Sequence, residues 1–506
     1  MTGATQTHAA VAVSRSVVSD VPARLFGSFV EHMGRCVYTG IYEPGHASAT
    51  DEGFRGDVLD LVRDLGVTVV RYPGGNFVSG YRWEDGVGPV EERPRRLETA
   101  WHEVETNAVG IHEFASWART AGVEIMEAVN LGTRGVEDAM RLVEYCNHPS
   151  GTALSDMRRR NGAEEPFGIR LWCLGNEMDG PWQLGAKSAD EYGALARETA
   201  KGMRGIDPDI ELVLAGSSGT DMPTFGDWER TVLRHAFEHV DYLSLHLYVQ
   251  EKDDPQAFLA SSDELERAIA DVALIIDEVR EAGGHEHQVA LAIDEWNVWD
   301  QQSFNDPAHQ QAVTRGPWHE HPRVIEDVYT LTDAVVVGTF LHAMLRHADR
   351  VRIANLAQLV NVIAPIMTEE GGPAWRQATF YPFARIAQHA RGDVLACAVD
   401  TPQLAGASAV DAVVTHDAAA GVACAFLAHR GLEGSAEVAI TLPFPDAVLA
   451  EAEVLVSSAG RLGANTLDSQ DTVRLEPLAV RLDGDTATLT LPAVSWAWVR
   501  WKVASA

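Results

Sequence analysis

The sequence has few cysteines, and they are not arranged as a disulfide or metal-binding framework. The five are odd in number, widely spaced and without a CxxC pair: Cys36, Cys146, Cys173, Cys397 and Cys424. This arrangement is typical of reduced thiols in a cytosolic protein. We therefore expect neither a disulfide scaffold nor a zinc site.

Long apolar runs and an excess of positive charge are also missing. No stretch of about 18 consecutive apolar residues is present, so no transmembrane helix is expected. The first residues, MTGATQTHAAVAVSR, lack the basic start and long apolar segment of a signal peptide. The formal net charge is −33, from 40 basic and 73 acidic residues, which makes nucleic acid and anionic membranes poor partners. Together these absences predict a cytoplasmic protein.

Two common hydrolase signatures are absent as well. His-Glu pairs occur in WHEVE, IHEFA, GHEHQ and WHEHP, but none continues to the metal-binding HExxH. Thr106 stands four residues after His102, and Ser116 stands four residues after His112. The segment AGSSGT at 215–220 lacks the GxSxG spacing of serine hydrolases. A metal hydrolase or a serine hydrolase of these types is therefore disfavoured.

What the sequence does contain, from residue 20 to 387, is an alternation of strand-like and helix-like segments. Helical spacing of apolar residues is clear at 54–66 and 263–283. Short apolar runs separate such segments at 25–30, 67–72, 123–130, 169–177, 210–216, 240–248, 289–297 and 351–360. Eight strands alternating with helices predict an α/β fold, a parallel (β/α)8 TIM barrel. A doubly wound open sheet is the alternative, but no run is followed by GxGxxG.

The pattern changes in residues 388–506, where helical periodicity is scarce. β-Forming residues alternate or cluster between turn residues at 412–430, 436–443, 452–458 and 487–503. Such a pattern predicts a second domain, a jelly-roll-like antiparallel β-sandwich.

Two of the predicted barrel strands run into glutamates. LWCLGNE carries Glu177 at the end of the fourth strand, and ALAIDE carries Glu295 at the end of the seventh. Because active sites of such barrels lie at the C-terminal strand ends, the two carboxyl groups can converge there. A glycosidase needs such a pair: one acid protonates the leaving oxygen while the other carboxylate attacks or activates water. A salt bridge at the barrel rim is the structural alternative for each glutamate.

The neighbours of the two glutamates differ. Asn176 precedes Glu177, and its amide is suited to a sugar hydroxyl next to the reacting carbon. Trp296 and Trp299 lie beside Glu295, where aromatic faces can stack on sugar rings. Ordinary core packing is the alternative for both tryptophans.

At these motifs the chain resembles family 51 of the glycoside hydrolases, the retaining α-L-arabinofuranosidases. The resemblance rests on GNEMDGPWQ and DEWNVW and extends over nearly the whole chain, through 26–44, 69–89, 244–248 and 353–369. It implies a barrel followed by a β-sandwich. It also implies that an N-terminal strand within residues 1–19, around HAAVAVS, completes the sandwich.

The resemblance also implies roles for individual residues. Glu177 would be the acid/base and Glu295 the nucleophile. The arabinofuranose pocket would be lined by Glu31, Arg71, Asn76, Asn176, His246, Tyr248 and Gln358, with Trp101 and Trp299 at its rim. Arg71 and Tyr248 would keep Glu295 ionised, whereas the pKa of Glu177 should be raised so that it can serve as an acid. Segment 300–323 does not align with the family pattern, and this leaves polymer preference open.

The implied activity is exo-acting release of terminal non-reducing L-arabinofuranose from arabinoxylan- or arabinan-derived oligosaccharides by double displacement. No cofactor or metal is implied, and the resemblance points to a homo-hexamer. The alternatives within enzymes are a β-D-galactofuranosidase and an endoglucanase of similar fold. A non-catalytic sugar-binding protein is the alternative from another class, but it would require the loss of at least one carboxylate, and both are present.

Overall fold

The computed structural model describes residues 6–503, and eight of its strands form a closed barrel. These barrel strands, numbered 1 to 8 in chain order, are Gly27–Phe29, Val69–Tyr72, Glu124–Val129, Leu171–Leu174, Glu211–Leu214, Tyr242–Val249, Ala290–Val298 and Val351–Ala357. Every neighbouring pair is parallel. Strand 8 closes the barrel against strand 1, where Asn355 lies opposite Gly27. The predicted TIM barrel is confirmed.

The α-helices follow the strands in the expected alternation. They are Gly56–Leu65, Ile111–Ala121, Val136–Asn147, Ala153–Arg160, Ala189–Ile206, Asp227–Ala236, Pro255–Leu259, Ser262–Gly283, Gln301–Phe304, Pro307–Arg315, Leu331–Arg346 and Phe380–His389. Side-chain oxygens of Ser188 and Thr330 accept backbone N–H groups at the starts of two of them. Gly66, at φ 80°, ends the first helix in the left-handed conformation that glycine adopts without steric cost.

Apolar packing occurs on both sides of the barrel strands. The barrel interior holds a small cluster of inward side chains, among them Val69, Met126, Leu171, Val213, Ala292 and Ile353. A much larger cluster fills the space between the strands and the surrounding helices. Burial on both faces explains why the strands read as continuous apolar runs instead of alternating ones.

The C-terminal region forms one ten-stranded sheet. In pairing order its strands are Val473–Pro477, Val448–Ser457, Ser495–Lys502, Val422–His429, Val410–Asp417, Asp393–Asp400, Gln6–Asp20, Ser435–Thr441, Thr486–Pro492 and Val480–Asp483. Strands from opposite ends of this order contact each other around a shared apolar cluster, so the sheet folds over into two layers. The predicted β-sandwich is thereby confirmed, although the strands at 393–400, 473–477 and 480–483 had not been predicted.

The N-terminal strand Gln6–Asp20 lies in the middle of that sheet. Val11 is opposite Val399 of an antiparallel neighbour and opposite Ile440 of a parallel neighbour. Within the described residues, the chain thus runs from the sandwich to the barrel and back. The predicted boundary at residue 388 stays a prediction; the last helix ends at His389.

Helix Leu331–Arg346 lies between the barrel and the C-terminal sheet. It contacts barrel strands 7 and 8 on one side and the sheet on the other. Most of its residues are buried, as expected for a helix that is apolar all round. Gly338 is required where it meets the sheet, because a Cβ there would lie 2.5 Å from the Trp496 ring.

Short elements complete the structure. They are the hairpins Arg96–Glu98 with Glu103–Glu105, Ile366–Thr368 with Ala374–Arg376, and Gln403–Leu404 with Ala407–Ser408, and the 3₁₀ turns Ala23–Phe26, Asn76–Ser79, Trp83–Gly86, Val90–Glu92 and Phe237–His239. Among the residues described, no helix combines the length and the apolar character that crossing a membrane requires.

Candidate active site

A cavity of about 530 Å³ opens at the C-terminal ends of the barrel strands. Loops that follow the strands build its walls. Its lining includes Phe29, Glu31, Gly75, Asn76, Trp101, Glu177, Trp182, Tyr248, Glu295, Trp299, Phe304 and Gln358. Aromatic faces and polar groups therefore meet in one space, as is typical of ligand sites.

Glu177 and Glu295 face each other in this cavity. Glu177 follows strand 4 with a φ of 43°, a strained value for a residue other than glycine. Glu295 lies within strand 7, three residues before its end. One carboxylate oxygen of each glutamate and a ring nitrogen of His246 all lie within 4.8 Å of one another. The two strands therefore bring the two acids together as predicted.

Arg71 is the cation beside Glu295. It extends from strand 2 and is fully buried, with its guanidinium 4.9 Å from the centre of the Phe29 ring. Its Nη1 donates to Glu295 Oε1 at 2.5 Å, and its Nη2 donates to Asn176 Oδ1 at 2.6 Å. Its Nε lies 3.4 Å from a carboxylate oxygen of Asp294. Arg71 thus fixes one face of the acid pair.

His246 is the second cation of the cluster. Its Nδ1 lies 3.0 Å from Glu177 Oε1 and 3.5 Å from Glu295 Oε2, and its Nε2 lies 3.4 Å from Asp294 Oδ1. Burial by itself lowers the pKa of His246. The charge of Glu295 and the hydrogen bonds with the other two carboxylates outweigh burial and raise this pKa well above its usual value. The surrounding carboxylates therefore favour the protonated imidazole.

The two central glutamates have different surroundings. Burial, reinforced by the negative charge of Glu295, raises the pKa of Glu177 above its ordinary value, although hydrogen bonds from His246 and Trp182 oppose the shift. Trp182 Nε1 donates to Glu177 Oε2 at 2.8 Å. Glu295 instead receives Arg71 and the Tyr248 hydroxyl, whose oxygen lies 3.0 Å from Oε2. Glu177 is thus the member suited to hold a proton.

Glu31 is a third acid at the cavity wall. Its Oε1 accepts hydrogen bonds from the backbone N–H of Phe77 and from Trp101 Nε1, both at 2.9 Å. Gln358 Nε2 lies 3.4 Å from its Oε2. Burial raises the pKa of Glu31 to about 8. This side of the cavity therefore offers both hydrogen-bond acceptors and hydrogen-bond donors to a ligand.

The YPGGN segment lies close to the acids of the cavity, and its two glycines leave no room there for a side chain. A Cβ on Gly74 would lie 2.6 Å from Glu31 Cγ, and a Cβ on Gly75 would lie 3.1 Å from a Glu295 oxygen. The Nδ2 of Asn176 is also close to Gly75 and is buried without a hydrogen-bond partner. An unpaired buried amide is costly, so a bound hydroxyl at this point would be favoured.

Most predicted site residues lie at the cavity surface. Eight of them line it: Glu31, Asn76, Trp101, Glu177, Tyr248, Glu295, Trp299 and Gln358. Arg71 and His246 contact the carboxylates, and Asn176 Oδ1 accepts a hydrogen bond from Arg71; these three residues lie beside the cavity lining and do not form it. The suggestion that Trp296 stacks on a sugar is wrong: its side chain is fully buried on the outer side of the barrel, against Phe340.

Sequence reasoning missed three contributors. Trp182 lies in the quoted GNEMDGPWQ motif, five residues after Glu177, yet only the structure shows its hydrogen bond to that acid. Asp294 stands in the quoted ALAIDE segment, but the sequence does not show its contact with His246. Phe304, from the segment that could not be aligned, lines the outer cavity with its ring 5.2 Å from that of Trp299.

In the described part of the chain, Glu177, His246 and Glu295 are the one set of metal-ligating groups that comes this close together. The cluster already contains two protein cations, Arg71 and His246, in contact with its carboxylates. We therefore interpret it as an acid pair with protein cations as its partners and not as a metal centre.

Comparisons with known proteins agree with this geometry. Residues 61–267 match the family model described as "Alpha-L-arabinofuranosidase 1 domain", and residues 294–495 match "Alpha-L-arabinofuranosidase C-terminal domain". The exo-α-(1→6)-L-arabinofuranosidase of Bifidobacterium longum is 50% identical over 501 residues, covering 96% of this chain and 95% of the relative. The intracellular exo-α-(1→5)-L-arabinofuranosidase of Streptomyces lividans is 50% identical over 491 residues, covering 96% and 73%.

A solved structure gives the same result. The family 51 α-L-arabinofuranosidase AbfB from Bifidobacterium longum superposes with a TM-score of 0.93 at 47% identity, covering 98% of this chain and all of that one. Fold and sequence therefore agree over nearly the whole length. The chain belongs to glycoside hydrolase family 51, the α-L-arabinofuranosidases.

Proposed function

We propose that this protein is a retaining, exo-acting α-L-arabinofuranosidase that works by double displacement. The observation that carries the proposal is the short separation of the acid pair, whose nearest oxygens lie within 4.8 Å. Retaining glycosidases place their carboxyl groups about 5–5.5 Å apart, whereas inverting enzymes leave roughly 6.5–9.5 Å for a water molecule. The gap here favours direct attack on the sugar.

Glu177 is the proposed acid/base. Its raised pKa lets it hold a proton in the resting enzyme, and the proton goes to the glycosidic oxygen as the bond to the leaving group breaks. The resulting carboxylate then takes a proton from the water that releases arabinose.

Glu295 is the proposed nucleophile. One of its oxygens attacks the anomeric carbon and forms an arabinosyl ester, which water later hydrolyses. The hydrogen bonds from Arg71 and Tyr248 hold this carboxylate in place.

The remaining groups are proposed to hold the arabinofuranose ring. A furanose offers several hydroxyls, and burying them requires a matching set of donors and acceptors. Glu31, Asn76, Asn176 and Gln358 provide such a set. Trp101 and Trp299, with Phe304 close by, place aromatic faces at the outer part of the cavity, where the ring and the leaving group would lie.

The proposed substrates are arabinoxylan- or arabinan-derived oligosaccharides with terminal non-reducing L-arabinofuranose. The two relatives described above are named for (1→6) and (1→5) linkages respectively, so we propose an α-linked terminal residue and leave the linkage to experiment. One of them is named intracellular, which supports action inside the cell. The homo-hexamer implied by the family resemblance stays a prediction.

The test follows hydrolysis of nitrophenyl α-L-arabinofuranoside by proton NMR in methanol–water, with nitrophenyl β-D-galactofuranoside alongside. We expect fast cleavage of the arabinoside, with the α-methyl arabinofuranoside formed first. A β-methyl product would mean inversion and would remove Glu295 as the nucleophile. Faster cleavage of the galactofuranoside would instead favour that substrate class.

A further inference from the structure

Asp294, the residue before the proposed nucleophile, is connected to both proposed catalytic residues through one histidine. Its Oδ1 lies 3.4 Å from His246 Nε2, and His246 Nδ1 lies 3.0 Å from Glu177 and 3.5 Å from Glu295. Asp294 itself is fully buried and is not part of the cavity lining described above. Any effect of Asp294 on the sugar must therefore pass through other groups.

Asp294 is held rigidly by three strands. Ser244 Oγ from strand 6 donates to its Oδ1 at 2.5 Å, and Arg71 Nε from strand 2 lies 3.4 Å from its Oδ2. Cys173 Sγ from strand 4 lies 4.0 Å from the same Oδ2. Burial alone would raise the pKa of Asp294, but Arg71 and His246 together bring it to about 2. Asp294 is thus a permanent negative charge.

The other titratable groups near Asp294 do not change that charge. Burial raises the pKa of Cys173 to about 12, so this thiol stays neutral. Arg71 stays protonated at any working pH. Tyr192 also faces this region, and burial raises its pKa, which leaves it neutral. His246 and the Glu177–Glu295 pair are therefore the groups whose protonation Asp294 can influence.

The charges of this cluster balance at both stages of the proposed reaction. In the resting state that the proposed mechanism requires, Asp294 and Glu295 are negative, Arg71 and His246 are positive, and Glu177 is neutral. After the ester forms, Glu295 is neutral and Glu177 has given up its proton to the leaving oxygen, so the sum is again zero. His246 touches both glutamates and can stabilise whichever one is charged.

We propose that Asp294 is a positioning residue that keeps His246 protonated and oriented, so that one imidazolium serves Glu295 before the glycosyl transfer and Glu177 after it. This inference rests on the proposed roles of the two glutamates. It assigns to Asp294 a part in both half-reactions without any contact with substrate.

The test is Asp294→Asn, which keeps the shape of the side chain and removes its charge. We expect kcat to fall by about 10²-fold with little change in KM, because an orienting carboxylate acts on the reaction more than on sugar binding. The alkaline limb of the pH profile should move to lower pH. The reason is that loss of a nearby negative charge makes the Glu177–His246 pair release its proton more easily.

A matched control is Asp411→Asn, at the barrel–sheet junction. Asp411 is another buried carboxylate in contact with a histidine and two arginines, but it is not part of the cavity lining. It should lower the melting temperature without moving the pH profile. If Asp294→Asn behaves like Asp411→Asn, its role is purely structural and the proposal is overturned.

Ser244→Ala provides a second, milder variant. Without the serine hydroxyl, the Oδ1 of Asp294 interacts with His246 alone, so His246 should hold its proton more tightly and the alkaline limb should move to higher pH. Opposite shifts in Asp294→Asn and Ser244→Ala support the proposal. If Asp294→Asn fails to fold, an unmoved limb in Ser244→Ala is enough to overturn it.

A double-mutant cycle with His246→Gln tests whether Asp294 acts through His246. Asp294→Asn should cost much less activity when His246 is already absent, because the two act as one unit. Full additivity would show that Asp294 acts elsewhere. Failure of the proposed function would be seen independently, as normal turnover in Glu295→Ala, whereas failure of this inference leaves that variant inactive.

Discussion

Two buried charged clusters of this protein contain the same residue types in different proportions. At the barrel–sheet junction, the buried carboxylate of Asp411 lies 2.6 Å from His342 Nδ1 and 3.1 Å from both Arg346 and Arg430. The two arginines also contact the more exposed carboxylates of Glu266 and Asp263, respectively. At the barrel mouth, three carboxylates, those of Glu177, Asp294 and Glu295, share one arginine and one histidine.

The proportions decide the protonation states. At the junction the two arginines overcome the effect of burial and hold the pKa of Asp411 well below its ordinary value, and burial lowers the pKa of His342. At the mouth the carboxylates raise the pKa of His246 against the effect of burial, and burial together with the charge of Glu295 raises the pKa of Glu177. A buried charge by itself is therefore no sign of catalysis. A surplus of acids over cations, next to a cavity, is a better one.

Of these substitutions, Glu295→Ala at the barrel mouth is expected to have the largest effect on activity. We expect kcat to fall by about 10⁴-fold or more, because no other group stands in place to attack the anomeric carbon. Turnover of nitrophenyl α-L-arabinofuranoside and the melting temperature should be measured together. Asp411→Asn, compared at equal folded fraction, should keep its turnover. Near-normal turnover in Glu295→Ala would refute the nucleophile assignment.

Glu177→Ala should have a smaller effect that depends on the substrate. For leaving groups that need protonation we expect a loss of about 10²–10⁴-fold, because general acid catalysis is missing. Nitrophenyl substrates need little help to depart, so their first step should be affected far less. Rates with an arabino-oligosaccharide and with the aryl substrate provide the measurement. Equal losses on both would count against the acid role.

At the junction, the substitution Asp411→Asn should lower the stability of the protein. Asp411→Asn removes the buried carboxylate that Arg346 and Arg430 share and leaves them only the more exposed Glu266 and Asp263, which should cost about 1–3 kcal/mol of unfolding free energy. Because the folded-state pKa of Asp411 is lowered from 3.8, its contribution is complete at neutral pH and is lost as the pH falls through the folded-state value. Thermal unfolding of both proteins at pH 7 and in acid should show a difference that narrows in acid. A constant difference would contradict this account.

The smallest effect is expected for Trp182→Phe. It removes the indole N–H that donates to Glu177 and keeps an aromatic ring at the cavity. Loss of one hydrogen bond should change kcat by about 2- to 10-fold. Since that bond favours the ionised carboxylate, its loss should raise the pKa of Glu177 and move the alkaline limb to higher pH. A limb that moves to lower pH would show that Trp182 acts in another way.

Much of the fold and the central pair could be predicted from local pattern. Apolar runs and helical spacing identify strands and helices, and parallel strands must place their C-terminal ends on one rim. For this reason Glu177 and Glu295, 118 residues apart, could be expected to meet. Side-chain alternation could not have decided the place of Trp296, because the register of strand 7 is irregular between Ala292 and Glu295 and both Asp294 and Glu295 lie against His246.

The sequence by itself thus determined the element types, the barrel and the two acids, because those follow from periodicity and strand direction. Tertiary structure alone decided the hydrogen bond from Trp182, the anchoring of His246 by Asp294 and the place of Phe304 beside Trp299. It also decided the central position of the N-terminal strand in the distant sheet. These features depend on distances between segments far apart in the chain, and packing sets such distances through the sum of many weak contacts that no local pattern encodes.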